Sequence, residues 1–331
     1  MQDPSEIIGN FAGKNIVIVG DLVADQFLNG TIERVSREAP VFILDHDSTD
    51  TLPGGAANAA ANVASLGAKP LLIGLIGRDH NGSLLSASLD NSGVCPDYII
   101  EDPEISTTTK IRVLAGQHYA PRQQVIRIDY KNRSEITEST RGKLHRNLTS
   151  AAETADGIII SDYNYGVADK ELVALARNLA AERQIPLLID SRFRLSAFPD
   201  ATSATPNQEE VEQILGKDFT VENCAELRER LGYEALLVTC GNKGMLLCER
   251  EKRPVQIDPI GSLEPVDVTG AGDTVIAVYA LGLAAGLSFE RSARIANHAG
   301  GIVVMKKGTC SVSVEELVES LQIDDRTDFA H

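Results

Sequence analysis

The run Asp267-Val268-Thr269-Gly270-Ala271-Gly272-Asp273-Thr274 carries the strongest chemical signal, a Gly-x-Gly-Asp turn leading into an apolar stretch. Glycines at 270 and 272 let backbone approach a ligand. The first-turn N–H groups of the helix that follows point outward with the positive end of its dipole. The N–H groups of Ala271, Gly272 and Asp273 thus make an anion hole, and a carboxylate at Asp273 would itself compete for that positive potential. The competing reading is a helix cap, a common role for Asp at a helix start.

A second glycine-rich helix start, Pro53-Gly54-Gly55-Ala56-Ala57-Asn58, permits close approach of a polyhydroxy ligand. Asn58 offers both a donor and an acceptor to sugar hydroxyls; a helix-packing motif with a solvated Asn is the alternative. Gly20-Asp21 closes the first strand and Asp25 follows four residues later, where carboxylates at strand C-terminal ends meet ligands in α/β sheets. In Thr205-Pro206-Asn207-Gln208-Glu209-Glu210, Asn207 and Glu210 share one face of a helix start and can orient Mg²⁺-bound water near phosphates. An N-cap with an acidic first turn is the plainer reading of that pair. A Walker A loop is absent, and the dinucleotide fingerprint fails where Val275 replaces its third glycine. None of the six histidines stands at triad or metal spacing, and His298 lies on an apolar helix as a packing residue.

These groups need a scaffold. Short β-branched runs at 16–19, 71–76, 157–160, 186–189 and 235–239 alternate with helix-like segments at 56–66, 170–183, 274–285 and 289–304. That rhythm predicts βαβ units around a buried, mainly parallel sheet flanked by helices. Two stretches, 27–50 and 107–130, alternate with period two instead, so we expect a small β lid over the sheet edge. Residues 134–141 read as a polar connection. One α/β domain spanning 1–331 with a lid is the simplest organisation.

Composition narrows the partners. The 331 residues are 43% hydrophobic, enough for a large core, but only 5% aromatic with no Trp, which disfavours stacking on single-stranded nucleic acid. A net charge of −16 repels a phosphate backbone, so an anionic substrate needs a local basic patch. Five cysteines without C-x-x-C spacing argue against disulfides and zinc. An N-terminus bearing Asp3 and Glu6, and the lack of an apolar run near the ~20 residues of a membrane span, lead us to expect a cytoplasmic protein.

In this order the motifs resemble those of the ribokinase (PfkB) superfamily of carbohydrate kinases: Gly20-Asp21, Gly54-Gly55-x-x-Asn58, Asn207-x-x-Glu210 and Asp267 to Asp273. The resemblance spans residues 15–314. Within the superfamily the likeness is strongest to D-glycero-β-D-manno-heptose-7-phosphate kinase, the kinase half of the bifunctional ADP-heptose synthesis protein. It is carried by Ile32-Glu33-Arg34-Val35-Ser36-Arg37-Glu38-Ala39-Pro40-Val41, Pro53 to Asn58, Thr109-Lys110-Ile111-Arg112-Val113, Ser161-Asp162-Tyr163 and Gly308-Thr309. The Arg-x-Ser-x-Glu-Ala-Pro run separates that family from ribokinases and fructokinases.

The resemblance implies a ribokinase-like fold, ATP and Mg²⁺, and phosphorylation of heptose 7-phosphate at O1 to the 1,7-bisphosphate, a step toward the heptose of lipopolysaccharide. Asp273 would be the base and Gly270, Ala271 and Gly272 the anion hole. Asp21, Gly54, Gly55, Asn58, Arg112 and Asp162 would face the sugar, with Arg34 and Lys110, and Arg122 beside them, as cationic lid candidates for its 7-phosphate. Thr239, Gly241, Gly244 and Asn297 would frame the nucleotide, with Arg192 on its phosphates and Glu210, through water, with Asn207 at the metal. A homodimer joined through the lid strands is expected, because those strands otherwise expose edges and apolar residues such as Phe42 and Ile43. Two departures bear on the sugar: Asn164-Tyr165 stands where the family has Ala-Lys, and Asp190-Ser191-Arg192 where it has Asp-Pro-Lys. Arginine still binds phosphate, with a planar fork in place of a point charge. A kinase of hexoses, pentoses or nucleosides, and a non-catalytic nucleotide- or sugar-binding regulator, are the other readings. The His-x-Gly-His signature of the adenylyltransferase half is absent, so a separate protein is expected to supply nucleotidyl transfer.

Overall fold

The computed structural model describes residues 3–117, 122–262 and 264–328. The first part of the chain runs α1 (Pro4–Gly9), β1 (Asn15–Gly20), β2 (Leu22–Val35), β3 (Phe42–Gly55), α2 (Ala56–Ser65), β4 (Lys69–Gly77), α3 (His80–Asn91), β5 (Ile99–Asp102), β6 (Thr109–Gly116) and β7 (Gln123–Tyr130). There follow α4 (Glu138–Ala152), β8 (Gly157–Asp162), α5 (Lys170–Arg183), β9 (Leu187–Ser191), β10 (Ser203–Ala204), α6 (Gln208–Leu215), α7 (Val221–Arg230) and β11 (Ala235–Thr239). The chain closes with β12 (Met245–Glu249), β13 (Val255–Ile257), α8 (Ala271–Ala284), α9 (Phe289–Val303) and α10 (Val314–Asp328).

Among the described residues, nine strands form one sheet in the order β13-β12-β11-β10-β9-β8-β1-β4-β5, with β12 alone running against the rest. Alternation along β1 explains why the sheet is covered on both faces. Ile16 and Ile18 enter one apolar core with α2, α8 and α9, while Val17 and Val19 enter the other with α4, α5 and α7. From β1 the chain builds outward through β4 and β5, then returns to β8 on the other side. The β1–β8 junction is therefore the switch point, and the carboxyl ends of these strands are where such sheets bind ligands. Asp21 follows β1 there and Asp162 ends β8.

A second sheet, of order β3-β2-β6-β7, stands on that edge. It occupies more of the chain than the segments 27–50 and 107–130, because only Asp21 separates β1 from β2 and β3 runs on to Gly55, directly into α2. Residues 118–121 of the second segment lie outside the described residues. Lys110 pairs with Asp25 and Asp129, and Arg112 with Phe27 and Arg127, so these residues share one face. Ile111, Ile126 and Ile128 occupy the other, which exposes apolar surface together with Tyr130.

Small residues bring α8 and α9 together: a Cβ on Gly282 would come within 2.6 Å of Ser292 Oγ. Helix α8 begins at Ala271, three residues before the expected start, because Gly270 adopts a left-handed conformation (φ 79°) as its N-cap. That early start places Asp273 in the first turn. The five cysteines are unpaired. Among the described residues, no helix is long and apolar enough to cross a membrane.

Candidate active site

Asp273 is buried at the start of α8, yet its carboxylate does not cap that helix. Its Oδ1 accepts a hydrogen bond from Tyr163 Oη at 2.8 Å and its Oδ2 accepts one from Asn58 Nδ2 at 3.0 Å. Burial raises its pKa to about 6, against the opposing pull of those two donors. The cap reading fails because both carboxylate oxygens are taken by side chains from outside α8. Ala271 N–H is drawn to Val268 O at 3.3 Å, so the expected three-donor hole reduces to the N–H groups of Gly272 and Asp273.

Two cavities meet at this helix start and share Thr239, Val268 and Gly272 as walls. One, of about 390 Å³, is polar: Asp25, Lys110, Arg112, Arg127, Asp162, Tyr163, Asp190, Arg192, Asn207, Glu210 and Asp273 line it. The other, of about 180 Å³, is apolar and is closed by Met245, Pro259, Ile260, Val275 and Val304. Gly301 lets the loop after β13 close against α9, since a Cβ there would lie 2.6 Å from Ile260 O. Thr239, Gly241, Gly244 and Asn297 all line this apolar cavity, and Asn297 Nδ2 donates to Asp258 O at 2.7 Å, fastening the loop after β13.

In the polar cavity Arg112 donates to Asp25 Oδ1 at 2.7 Å and lies over the Phe27 ring. Gly54 is dictated by this pair, since a Cβ there would stand 2.5 Å from Asp25 Oδ2. Lys110 is buried with its ammonium 4.9 Å from the Tyr163 ring centroid. Burial lowers its pKa, while Asp25 and Asp273 pull it back up. Arg192 stands at the mouth, against Phe193. This arrangement places an anion-accepting ammonium beside a raised carboxylate, with a separate apolar slot across the helix start.

Residues 14–317 match the profile of the pfkB family carbohydrate kinases. The chain belongs to that family. Its relatives include proteins named bifunctional protein HldE: from Caulobacter vibrioides, 37% identical over 93% of this chain and 63% of that protein, and from Vibrio parahaemolyticus, 36% identical over 98% and 67%. The chain thus spans about two thirds or slightly less of these relatives. Among solved structures, Escherichia coli phosphofructokinase-2 in complex with fructose-6-phosphate superposes with a TM-score of 0.74 at 20% identity, covering 94% of this chain and 99% of that one. Arabidopsis thaliana ribokinase complexed with ribose and ATP gives 0.70 at 21%, over 94% and 99%. These likenesses show the fold.

Within this kinase several side chains stand elsewhere than the motifs predict. Asn58 does not open onto the cavity: it is buried, donates to Asp273 and to Gly270 O at 3.2 Å, and accepts from Asn62. Asp21 turns away from the polar cavity and accepts the N–H groups of Tyr163, Tyr165 and Val167, and burial raises its pKa to about 6. Gly55 (φ 60°) packs against Asp21 O and the Tyr163 ring. Asp162 lines the cavity, but its carboxylate is held by Arg194 and by Ser191 Oγ at 2.7 Å. Arg34 is exposed near the far end of β2, nine residues and about 30 Å along the strand from Asp25. Arg122 pairs with Asp47, outside the cavity. Asn207 and Glu210 form a reciprocal capping box and still line the cavity, where burial raises Glu210 to about 7. Sequence reasoning misses Tyr163, Asp190 and Arg127 as site residues and gives Asp25 only as a carboxylate near a strand end. A period-two reading of β2 finds Asp25, because it shares a face with Phe27 and pairs with Lys110.

Proposed function

We propose that this carbohydrate kinase transfers the γ-phosphoryl group of MgATP to O1 of D-glycero-β-D-manno-heptose 7-phosphate, with Asp273 as general base. The observation that carries this reading is the position of Asp273, buried at an open helix start where a cation-lined polar cavity meets an apolar one. The apolar cavity suits an adenine and the polar cavity a phosphosugar. The phosphates then lie over the N–H groups of Gly272 and Asp273. Asp273 accepts the acceptor hydroxyl's proton as the sugar oxygen bonds to phosphorus and the bond to the β-phosphate oxygen breaks, releasing ADP.

The heptose assignment rests on the Arg-x-Ser-x-Glu-Ala-Pro run and on similarity to the HldE proteins over most of the chain. Lys110 and Arg192 are the anchors for the sugar phosphate, since Arg112 is committed to Asp25 and Arg34 is remote. The oxygen donors Glu210 and Asp190 suit a hard cation. Among the described residues no three His, Cys, Asp or Glu side chains converge on one metal, so water and phosphate oxygens must complete its shell. Mg²⁺ held by Glu210 through water, near Asn207, would offset charge on the β- and γ-phosphates. We place the enzyme in the cytoplasm as a homodimer joined through the exposed apolar face of β6 and β7 and the tip bearing Phe42.

ATP consumption against heptose 7-phosphate, fructose 6-phosphate, ribose, fructose and adenosine tests the reading. The phosphorylated seven-carbon sugar should give the highest kcat/KM. A neutral sugar as best acceptor, or turnover of none of the five, would overturn the heptose assignment.

A further inference from the structure

The loop of residues 163–167 leaves β8 at the switch point, and buried carboxylates take nearly all of its N–H groups. Asp21 Oδ2 accepts from Tyr163 N at 2.9 Å and Tyr165 N at 3.0 Å, and Asp21 Oδ1 accepts from Val167 N at 3.2 Å. Asp162 Oδ1 accepts from Asn164 N at 3.0 Å. The path this imposes holds Asn164 at φ 62°, uncommon for an L-residue, and uses a glycine, Gly166, at φ 105°. A carboxylate that is only 2% exposed and committed wholly to one loop is a costly fastening for a surface turn.

The loop's product is the placement of Tyr163. Its ring is wedged under the Lys110 ammonium and against Gly55, where a Cβ would stand 3.3 Å away. Its hydroxyl reaches Asp273 Oδ1 at 2.8 Å. With Asn58 on Oδ2, each carboxylate oxygen accepts one fixed bond, so rotation of the carboxylate is blocked and its remaining lone pairs are held in one orientation. We infer that Tyr163 is a positioning residue for Asp273 and that Asp21 seats it through the 163–167 loop. This rests on Asp273 being the base.

The titratable and charged groups facing Asp273 are Tyr163 from the loop, Asp25 from β2, Lys110 from β6 and Asp190 from β9. Burial and the Asp273 charge push the Tyr163 hydroxyl well above its ordinary range, so it remains a donor wherever the enzyme works. Its hydrogen bond lowers the proton affinity of Asp273, so removing it must move the acid limb of kcat to higher pH. A loop that served stability alone would leave that limb in place.

The test is the pH dependence of kcat and KM for Tyr163→Phe, Asp21→Asn, their double variant and Asp273→Asn, each made in the whole chain, with the acceptor sugar the wild type turns over fastest. Tyr163→Phe should lower kcat at least tenfold near neutral pH, keep the KM for ATP within twofold and move the acid limb up by about one pH unit. Asp21→Asn should move the limb the same way, and the double variant should be no more than threefold worse than Tyr163→Phe. If Asp21→Asn does not fold, the Tyr163→Phe profile decides alone. A wild-type limb in Tyr163→Phe, or multiplicative losses in the double variant, would overturn the inference while an inactive Asp273→Asn leaves the base intact. Wild-type turnover by Asp273→Asn would remove the base and this inference with it.

Discussion

Replacing Asp273 by asparagine should make the protein more stable above neutral pH while disabling it. Burial raises the Asp273 pKa from 3.8 to about 6. Folding therefore costs about 3 kcal/mol more with the charged form than with a neutral group of the same shape. An amide keeps both partners: its oxygen accepts from Asn58 Nδ2, and its nitrogen donates to Tyr163 Oη, whose proton turns toward the cavity. The raised pKa already includes what the two donors contribute to the charged form, so with both bonds kept the net gain is about 3 kcal/mol near pH 8. The sign with pH follows from the raised pKa. The wild type regains stability as pH falls through about 6 toward 3.8, so the variant's advantage should contract by about 2 kcal/mol near pH 4.5. Urea unfolding followed by circular dichroism at both pH values measures this; with no Trp in the chain, fluorescence is the poorer probe. A gap between variant and wild type that stays constant with pH would refute the reasoning, as would a variant less stable near pH 8.

Gly270→Ala puts a Cβ 2.5 Å from Asn58 Nδ2 at φ 79°, so we expect a stability loss of about 1–2 kcal/mol and at least tenfold lower kcat, read by urea unfolding and steady-state kinetics. Lys110→Ala should raise the KM of a phosphorylated acceptor at least tenfold while changing that of a neutral sugar less than threefold; equal changes would remove Lys110 as the phosphate anchor. Phe42→Asp should convert a dimer to a monomer in light scattering, and a wild type that is already monomeric at micromolar concentration would contradict the proposed interface.

What can be read from the sequence is mostly local. The apolar runs of β1, β8 and β11 are decided by neighbours a few residues apart and appear where expected, and the helix after Gly270 is found as well, begun three residues early at Ala271. The capping box of Asn207 and Glu210 is likewise local. The partners of Asp273 lie 215 and 110 positions away, and nothing near Asn58 or Tyr163 announces them. An amide at a helix start serves a sugar or a carboxylate equally well, so Asn58 reads as a ligand contact until α2 is seen to pack against α8. Asp21 and Asp25 are separable only once β2 is known to start at Leu22, which makes Asp21 a corner and turns Asp25 into the cavity. Helix α4 carries a readable period in Leu144, Leu148 and Ala151, but its charged neighbours mask it and its first turn passes for a polar connection.

In the proposed mechanism Asp273 takes the proton while other groups hold the nucleotide. It is tested most directly by measuring kcat and ATP affinity together for Asp273→Asn with heptose 7-phosphate as acceptor. The variant's kcat should fall at least a hundredfold below wild type with the Kd for ATP within twofold. Turnover near the wild-type rate would contradict it and remove Asp273 from the mechanism.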